Sequence, residues 1–384
     1  MDIYFSTPWH FISLMFVLLF GSVFALTIRH YFFCGIGRTL LLYCWHALFS
    51  IVYAIYVVNN GGDAMGYYRH SLAPDIELAL GTRAVEVFTS FLTQGLGLSL
   101  LGCFFVFNIF GFIGFLAFDA SLRSIVADKS KNIRLLATLI VFLPSVSFWS
   151  AGLGKDAISF MAVGLALWAS LDLSKRTILM FFSVLLMLVV RPHMAGLMIM
   201  GLAASFVLQK GMPLLQRLIL GFISLGVVAI LVPFALNYAG VGENVDADKL
   251  GAYIDERQGY NQEGGGGVDI SSMSLPMQLF TYMFRPLPFE AHSIASLMAS
   301  LDNMILLYLF VVGSYFLIKT KLTPDLKLHN RVFMWYYLCG SWIVLSLTTA
   351  NLGIAVRQKW MIAPMLIFLF LSVIRDKKEN NYEN

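Results

Sequence analysis

"RLLATLIVFLPSVSFWSAGLGKDAISFMAVGLALWASLDL", residues 134–173, carries two apolar runs with Lys155 and Asp156 side by side between them. A charge at the centre of a bilayer costs roughly 3 kcal/mol or more unless it is solvated or paired. The stretch therefore reads as two helices, near 134–150 and 157–173, joined by a solvated turn. The glycines of "AGLG" permit a sharp break there, because glycine tolerates backbone angles other residues avoid.

The same reading extends along the whole chain. Of 384 residues, 59% are hydrophobic and only 12% are charged, with a mean hydropathy of +0.77. A soluble domain carries about 25% charged residues, so this chain cannot cover a water-facing surface. Apolar runs near 20 residues recur, which predicts an all-α, polytopic integral membrane protein of about 11 transmembrane helices in one transmembrane domain, 1–384. The expected spans are 9–28, 39–58, 99–118, 134–150, 157–173, 177–190, 194–208, 218–238, 303–318, 332–350 and 360–374. The fifth to seventh are short and are expected to tilt, break or re-enter. Residues 276–300 are partly apolar and suit the membrane surface. The opening "MDIYFSTPWH" lacks the basic region of a signal peptide. Cys34, Cys44, Cys103 and Cys339 fit no zinc or redox spacing and read as packing residues.

Lys and Arg set orientation, because cytoplasmic loops are enriched in them. With the N-terminus outside and the C-terminus inside, the inner segments hold Arg29, Arg38, Arg123, Lys129, Lys131, Arg134, Lys175, Arg176, Lys210, Arg217, Lys319, Lys321, Lys327, Arg331, Arg375, Lys377 and Lys378, which is 17 of the 26 basic residues. Asp and Glu divide the other way, 15 outside and 7 inside of 22. Two long outer loops result, 59–98 and 239–302. The unusual charged motifs all fall on that outer side.

Each motif carries an ordinary reading beside a chemical one. Lys155 and Asp156 make either a solvated turn or the rim of an outward cavity, with Lys155 binding an anion and Asp156 accepting a proton. Trp149 is an interfacial anchor or a sugar-stacking platform. In "VVRPHM", Pro192 ends or kinks a span. There Arg191 either snorkels to the interface or grips phosphate with its planar fork of donors, and His193 suits proton transfer near neutral pH. Asp63 in "NNGGDAMGYYRH" suits a general base or a sugar-hydroxyl ligand; Tyr67 and Tyr68 are hexose platforms or members of an interfacial belt. The remainder of this loop, "APDIELALGTRAVEVFTSFL", reads as an amphipathic helix with Arg83 and Glu86 on its wet side. Glycines 264–267 match no phosphate-binding loop and suit either a mobile lid or a plain loop. "FRPLPFE" sets Arg285 between aromatic and proline residues with Glu290 close by, and Arg357 and Lys359 follow in the last outer loop. No His or Cys pair has metal-ligand spacing, and no nucleic-acid module is visible. Cations, carboxylates and aromatics on one face suit an anionic lipid-linked substrate carrying sugars.

"SFWSAGLGKDA", "VVRPHM" and "FRPLPFE" together make the chain resemble bacterial polysaccharide polymerases, the Wzy-like proteins and relatives with a GT-C-like membrane architecture. Several such chains share a Trp-Ser-x-Gly-x-x-Lys-Asp turn, an Arg-Pro-His span end and an aromatic-Arg-Pro-x-Pro segment closing on an acidic residue. The matching positions are Trp149, Ser150, Gly152, Lys155, Asp156, Arg191, Pro192, His193, Arg285, Pro286, Pro288 and Glu290. Asp63 and Tyr67 match a recurring pair in the first outer loop. "NLGIAVRQKWMIAPML" is similar to the family's late arginine and proline-containing span, giving Arg357 and Pro364. The resemblance covers about residues 60–364.

It implies glycosyl transfer at the periplasmic or extracellular face of the bacterial plasma membrane, on undecaprenyl-diphosphate-linked sugars, with no cofactor and no tightly bound metal. The expected reaction is polymerisation of oligosaccharide repeat units for O-antigen, capsule or exopolysaccharide. A hydroxyl of one lipid-linked unit attacks the anomeric carbon of another as the diphosphate leaves. Such chemistry needs a base for the hydroxyl and cations for the leaving group. The expected bases are Asp63, Asp156 and His193; the diphosphate ligands Lys155, Arg191, Arg285 and Arg357; the sugar contacts Tyr67, Trp149 and Glu290. Expected partners are the lipid-linked oligosaccharide, membrane lipids, and chain-length regulator or export-complex proteins, with no nucleic acid. The rival readings are a lipid-linked-sugar transferase or ligase of GT-C type, a polysaccharide or lipid transporter or flippase, and a structural subunit of an export complex.

Overall fold

Helices α1 (Pro8–Ile28) and α2 (Ile36–Asn60) open the chain in a computed structural model that describes residues 5–208, 266–319 and 330–374, with isolated positions among 215–259. They are followed by α3 (Asp63–His70), α4 (Thr82–Ser90), α5 (Leu100–Val126), α6 (Lys131–Val141), α7 (Pro144–Ser150), α8 (Lys155–Ser170), α9 (Thr177–Val190) and α10 (Pro192–Leu208). After the mostly undescribed stretch come α11 (Leu275–Phe284), α12 (Ile294–Lys319), α13 (Arg331–Thr348), α14 (Leu352–Gln358) and α15 (Ala363–Val373). Among the described residues the structure is all-helical; the one extended pairing is an isolated antiparallel bridge between Gly267 and Asn351.

Five helical stretches are long and apolar enough to cross a membrane: Pro8–Phe32, Ile36–Asn60, Leu100–Val126, Lys131–Ser150 and Ile294–Lys319. A sixth arises if Leu352–Met361 and Ala363–Val373, bent by 63°, count as one broken span. The other expected spans fall on helices too short or too polar for that test, such as α8, α9 and α10 with 16, 14 and 17 residues. The expected span 218–238 lies mostly outside the described residues, as do Lys210, Arg217, Gly264, Gly265, Lys321, Lys327, Arg375, Lys377 and Lys378.

Two segments gain detail and one local expectation is corrected. The expected span 134–150 falls within Lys131–Ser150, and its helix breaks between α6 and α7, where Pro144 starts a new one because its ring cannot sit inside the preceding helix. Residues 276–300 form α11, a 3-10 turn at Pro288–Glu290 and the start of α12. The amphipathic helix of the first long loop begins only at Thr82, after Gly81 adopts a φ of 78°, and it runs into a π-helical turn at Phe91–Gly95.

The chain forms two compact units: Met1–Ser121, Val141–Trp168 and Ile178–Arg191 make the first; Leu122–Ile140, Ala169–Thr177 and Pro192–Asn384 make the second. In the first, α5 lies at the centre. Its apolar window is 78% buried, against 22% for the stretch that includes α1, whose Phe16, Leu19 and Phe20 face outward. Gly114 on α5 meets Gly164 on α8 so closely that a Cβ at Gly114 would lie 2.6 Å from the Met161 backbone. Membrane helices favour such small residues because burial from water no longer drives them together and close packing must do so. A polar ladder crosses the same core. Asn108 Nδ2 donates to His46 Nδ1 (2.8 Å), so His46 carries its proton on Nε2 and gives it to Ser150 Oγ (2.9 Å). Ser150 in turn donates to the Val146 carbonyl (2.5 Å). Arg38 pairs with fully buried Asp119 through Nε (3.0 Å) and Nη2 (2.5 Å).

In the second unit, every residue of α15 is buried. It packs on α12 where Gly313 faces Phe370, and α10 packs on α13 where Gly201 faces Phe333. The last carbonyls of α15 lack partners within the helix. Lys129 Nζ supplies them, donating to Leu371 (2.9 Å), Ser372 (2.7 Å) and Ile374 (2.7 Å). Arg331 adds bonds to Ser372 Oγ (2.8 Å) and the Leu369 carbonyl (3.3 Å). Both residues read in sequence as inner-loop topology signals; the structure also uses them as caps at a helix end where the dipole favours cations.

Candidate functional site

The residues singled out in sequence divide between the two units, and the "RPH" tripeptide itself straddles the boundary. Arg191 belongs to the first unit, Pro192 and His193 to the second.

In the first unit the core sets the site's position. Tyr53, Val57, Met65, Tyr67, Phe104 and Leu153 pack in one cluster, tying α2, α3, α5 and the "AGLG" turn together. Two glycines of that turn are needed where they stand. A Cβ on Gly152 would strike the Tyr53 ring, and Gly154, at φ 153°, lies against the Tyr67 ring. The turn then delivers Lys155 and Asp156 as the first two residues of α8. A carboxylate in the first turn is favoured by the helix dipole.

Asp156 receives Arg191 Nη2 at 2.5 Å, and Arg191 Nε donates to Ser159 Oγ, one turn along α8, at 3.2 Å. Arg191 is 6% exposed and Asp156 17%. Lys155 Nζ donates to Thr82 Oγ1 at 3.1 Å. The residue before it, Gly81, donates its N–H to the Val189 carbonyl at 2.7 Å. The Gly81–Thr82 corner thus touches both the end of α9, two residues before Arg191, and the start of α8. Four segments far apart in sequence meet here: Tyr67, Thr82, Lys155–Ser159 and Arg191.

Asp63 is exposed at the first position of α3, one turn before buried Tyr67. Trp149 is half-buried, edge-on to Tyr53 (5.5 Å between ring centres) and to Phe148 (4.9 Å). Beside them, Tyr68 is half-buried, and burial raises its phenol above the ordinary value of 10.0. Glu86 corrects its sequence reading. It is 2% exposed, not on a wet face, and accepts from His70 Nδ1 (2.8 Å) and Arg83 Nη1 (2.9 Å), because a buried carboxylate needs partners.

In the second unit, Arg285 follows α11 and grips Glu290, with Nε at 2.8 Å and Nη2 at 2.6 Å from Oε1. The Leu287 N–H donates to Glu290 Oε2 at 2.8 Å. Partial burial opposes ionisation of Glu290, but its bonds from Arg285 and Leu287 and the nearby positive charge outweigh this and hold the carboxyl below its ordinary value of 4.5. Arg357 lies half-buried on α14, and His193 half-buried at the second position of α10. The described end of the glycine run is pinned: Leu352 donates to the Gly266 carbonyl and Val268 to the Ala350 carbonyl, both at 2.9 Å.

Several polar residues escaped sequence reasoning. Thr82 and Ser159 gave no signal beyond their hydroxyls. Lys359, read in sequence as part of the last outer loop, is instead wholly buried and donates to Asn303 Oδ1. The Ser150–His46–Asn108 ladder has the residue types of a nucleophilic constellation, but Ser150 is buried and its proton goes to a backbone carbonyl, so it serves packing. Among the described residues no group of three or more His, Cys, Asp or Glu is placed to hold a metal ion. Comparison with models of known protein families, with curated proteins and with solved structures finds no match to this chain.

Proposed function

We propose that the chain polymerises undecaprenyl-diphosphate-linked oligosaccharide repeat units by glycosyl transfer at the outer face of a bacterial plasma membrane. In this reading the N-terminus is outside, the C-terminus is inside, and about eleven segments traverse or enter the bilayer. The observation that carries it is the meeting of Lys155, Asp156 and Arg191 beside Tyr67. It sets two cations, a carboxylate and an aromatic ring, drawn from three parts of the chain, in one neighbourhood.

Lys155 Nζ, which donates to the neutral Thr82 hydroxyl, suits a diphosphate oxygen as a point charge. Arg191 is already neutralised in part by Asp156, so it presents its remaining donors from a fixed position. Asp63, exposed at the start of α3, is the base best placed to meet a hydroxyl from solvent; Asp156 is committed to Arg191. Within the second unit, Arg285, oriented by Glu290, and Arg357, on α14, are the cations that suit diphosphate.

Deletion of the gene in its host tests the reading. Surface glycan one repeat unit long is expected; unchanged chain lengths would sink it. Lys155→Gln should give the same short glycan at undiminished protein abundance.

A second reading, transport, has its own support. The 63° break between α14 and α15 carries fully buried Lys359, with buried Asp302 on α12 as its countercharge. Broken helices with buried charges are features of transporters. The same deletion separates the two, because a transporter's loss retains unexported repeat units on the cytoplasmic side.

A further inference from the structure

We propose that Lys359 is a positioning residue for the Arg285–Glu290 pair. It cannot touch a substrate, since it is 0% exposed in the 3-10 turn between α14 and α15. Its influence runs through a chain of hydrogen bonds inside the second unit.

Lys359 Nζ donates to Asn303 Oδ1. Asn303, also wholly buried, then turns its Nδ2 toward the Pro286 carbonyl and donates to it at 3.0 Å. The two faces of an amide are not interchangeable: Oδ1 only accepts and Nδ2 only donates. A donor fixed on the Lys359 side therefore decides which way the amide points. The Pro286 carbonyl and the Leu287 N–H belong to one peptide unit. That N–H donates to Glu290 Oε2 at 2.8 Å, and Glu290 Oε1 receives Arg285 at 2.6 and 2.8 Å.

The sequence of contacts is thus lysine, amide, peptide plane, carboxylate and guanidinium. Each group in it polarises the next, and hydrogen bonds in such chains strengthen one another in a low-dielectric interior. Asp302, 1% exposed and adjacent to Asn303 on α12, supplies the countercharge that makes a buried lysine tolerable. A purely structural lysine needs only Asp302. The bond to Asn303, continued to the peptide that holds Glu290, is what a positioning role adds.

The functional meaning rests on reading Arg285 as a diphosphate ligand, but the positioning itself is measurable without substrate. Full-length protein in detergent is treated with phenylglyoxal, and modification of Arg285 and Arg191 is followed by peptide mass spectrometry. Lys359→Met keeps length and removes the donor; Lys359→Gln keeps an N–H for Asn303. In the Met variant Arg285 modification should rise about tenfold, equivalent to about 1.4 kcal/mol of lost pairing, with Arg191 unchanged. The Gln variant should stay close to the natural protein. If Lys359→Met does not fold, Lys359→Met combined with Asp302→Asn removes both buried charges together and carries the same expectation. Asn303→Asp, which cannot donate to the Pro286 carbonyl, should also raise Arg285 modification. Unchanged Arg285 modification in a folded donor-less variant, or equal modification of the Met and Gln variants, overturns the proposal. Glycan chain length in the host, read separately, bears only on the polymerase reading.

Discussion

Asp156→Ala should destabilise the protein more than Arg191→Met, although each removes one end of the same ion pair. The asymmetry follows from burial and proton chemistry. Arg191 is 6% exposed, Asp156 17%. A guanidinium cannot shed its proton in a protein, so removing Asp156 leaves a buried charge whose Nε donates to Ser159 Oγ at 3.2 Å. Breaking a buried pair in this way costs about 3–5 kcal/mol, and Ser159 places the expected loss near the lower end, about 3 kcal/mol. Arg191→Met leaves Asp156 in the first turn of α8, where the helix dipole returns about 0.5 kcal/mol and its 17% exposure admits water. About 1–2 kcal/mol is expected there. The double variant has no stranded charge and should lose about 2 kcal/mol less than the sum of the singles, within the range of coupling between contacting residues. Reversible unfolding of purified protein in mixed micelles, titrated with a denaturing detergent, measures all three. Additivity within about 0.5 kcal/mol, or a larger loss for Arg191→Met, would refute the pairing as described.

Glu290 makes stability depend on acid. Its folded value is depressed, so its contribution is complete above the ordinary 4.5 and is lost as pH falls through the lower folded value. The thermal midpoint of Glu290→Gln should therefore differ from that of the natural protein near neutral pH and converge with it in acid. Lys129→Ala removes the donor to three carbonyls at the end of α15 and should cost about 2 kcal/mol in the same unfolding assay; Lys129→Arg should recover part of it. Gly114→Ala places a Cβ 2.6 Å from backbone that cannot turn aside, and a loss of about 1–3 kcal/mol is expected. A neutral Gly114→Ala would mean that α5 and α8 separate readily.

Much of this molecule was legible without coordinates. Helix positions followed from apolar runs, because in a bilayer every backbone group must be satisfied within its own segment, and a helix does this with local bonds. Pro192 marked the end of a span, and α9 stops at Val190; the "AGLG" glycines marked a turn, since both act through local backbone angles. Span lengths were less legible: the break at Pro144 and the bend before Ala363 interrupt runs that are continuous in hydropathy.

The charged residues show where sequence stops. Glu86 read as wet because of its type and period, yet it is buried, and only the tertiary positions of His70 and Arg83 make that tolerable. Asp156 and Arg191 were both picked out, but as separate groups; that each is the other's partner depends on α8 and α9 ending side by side. Lys129 and Arg331 counted as topology signals, and their service to the end of α15 spans more than 40 and more than 240 residues of chain respectively for Arg331 and Lys129. The sequence by itself determined an all-helical, lipid-compatible chain and which residue types interrupt its apolar runs, because hydropathy and backbone restriction are local properties. Only the tertiary structure decided which charges are paired, because the cost of a buried charge is met by groups that folding, not adjacency, brings within 3 Å.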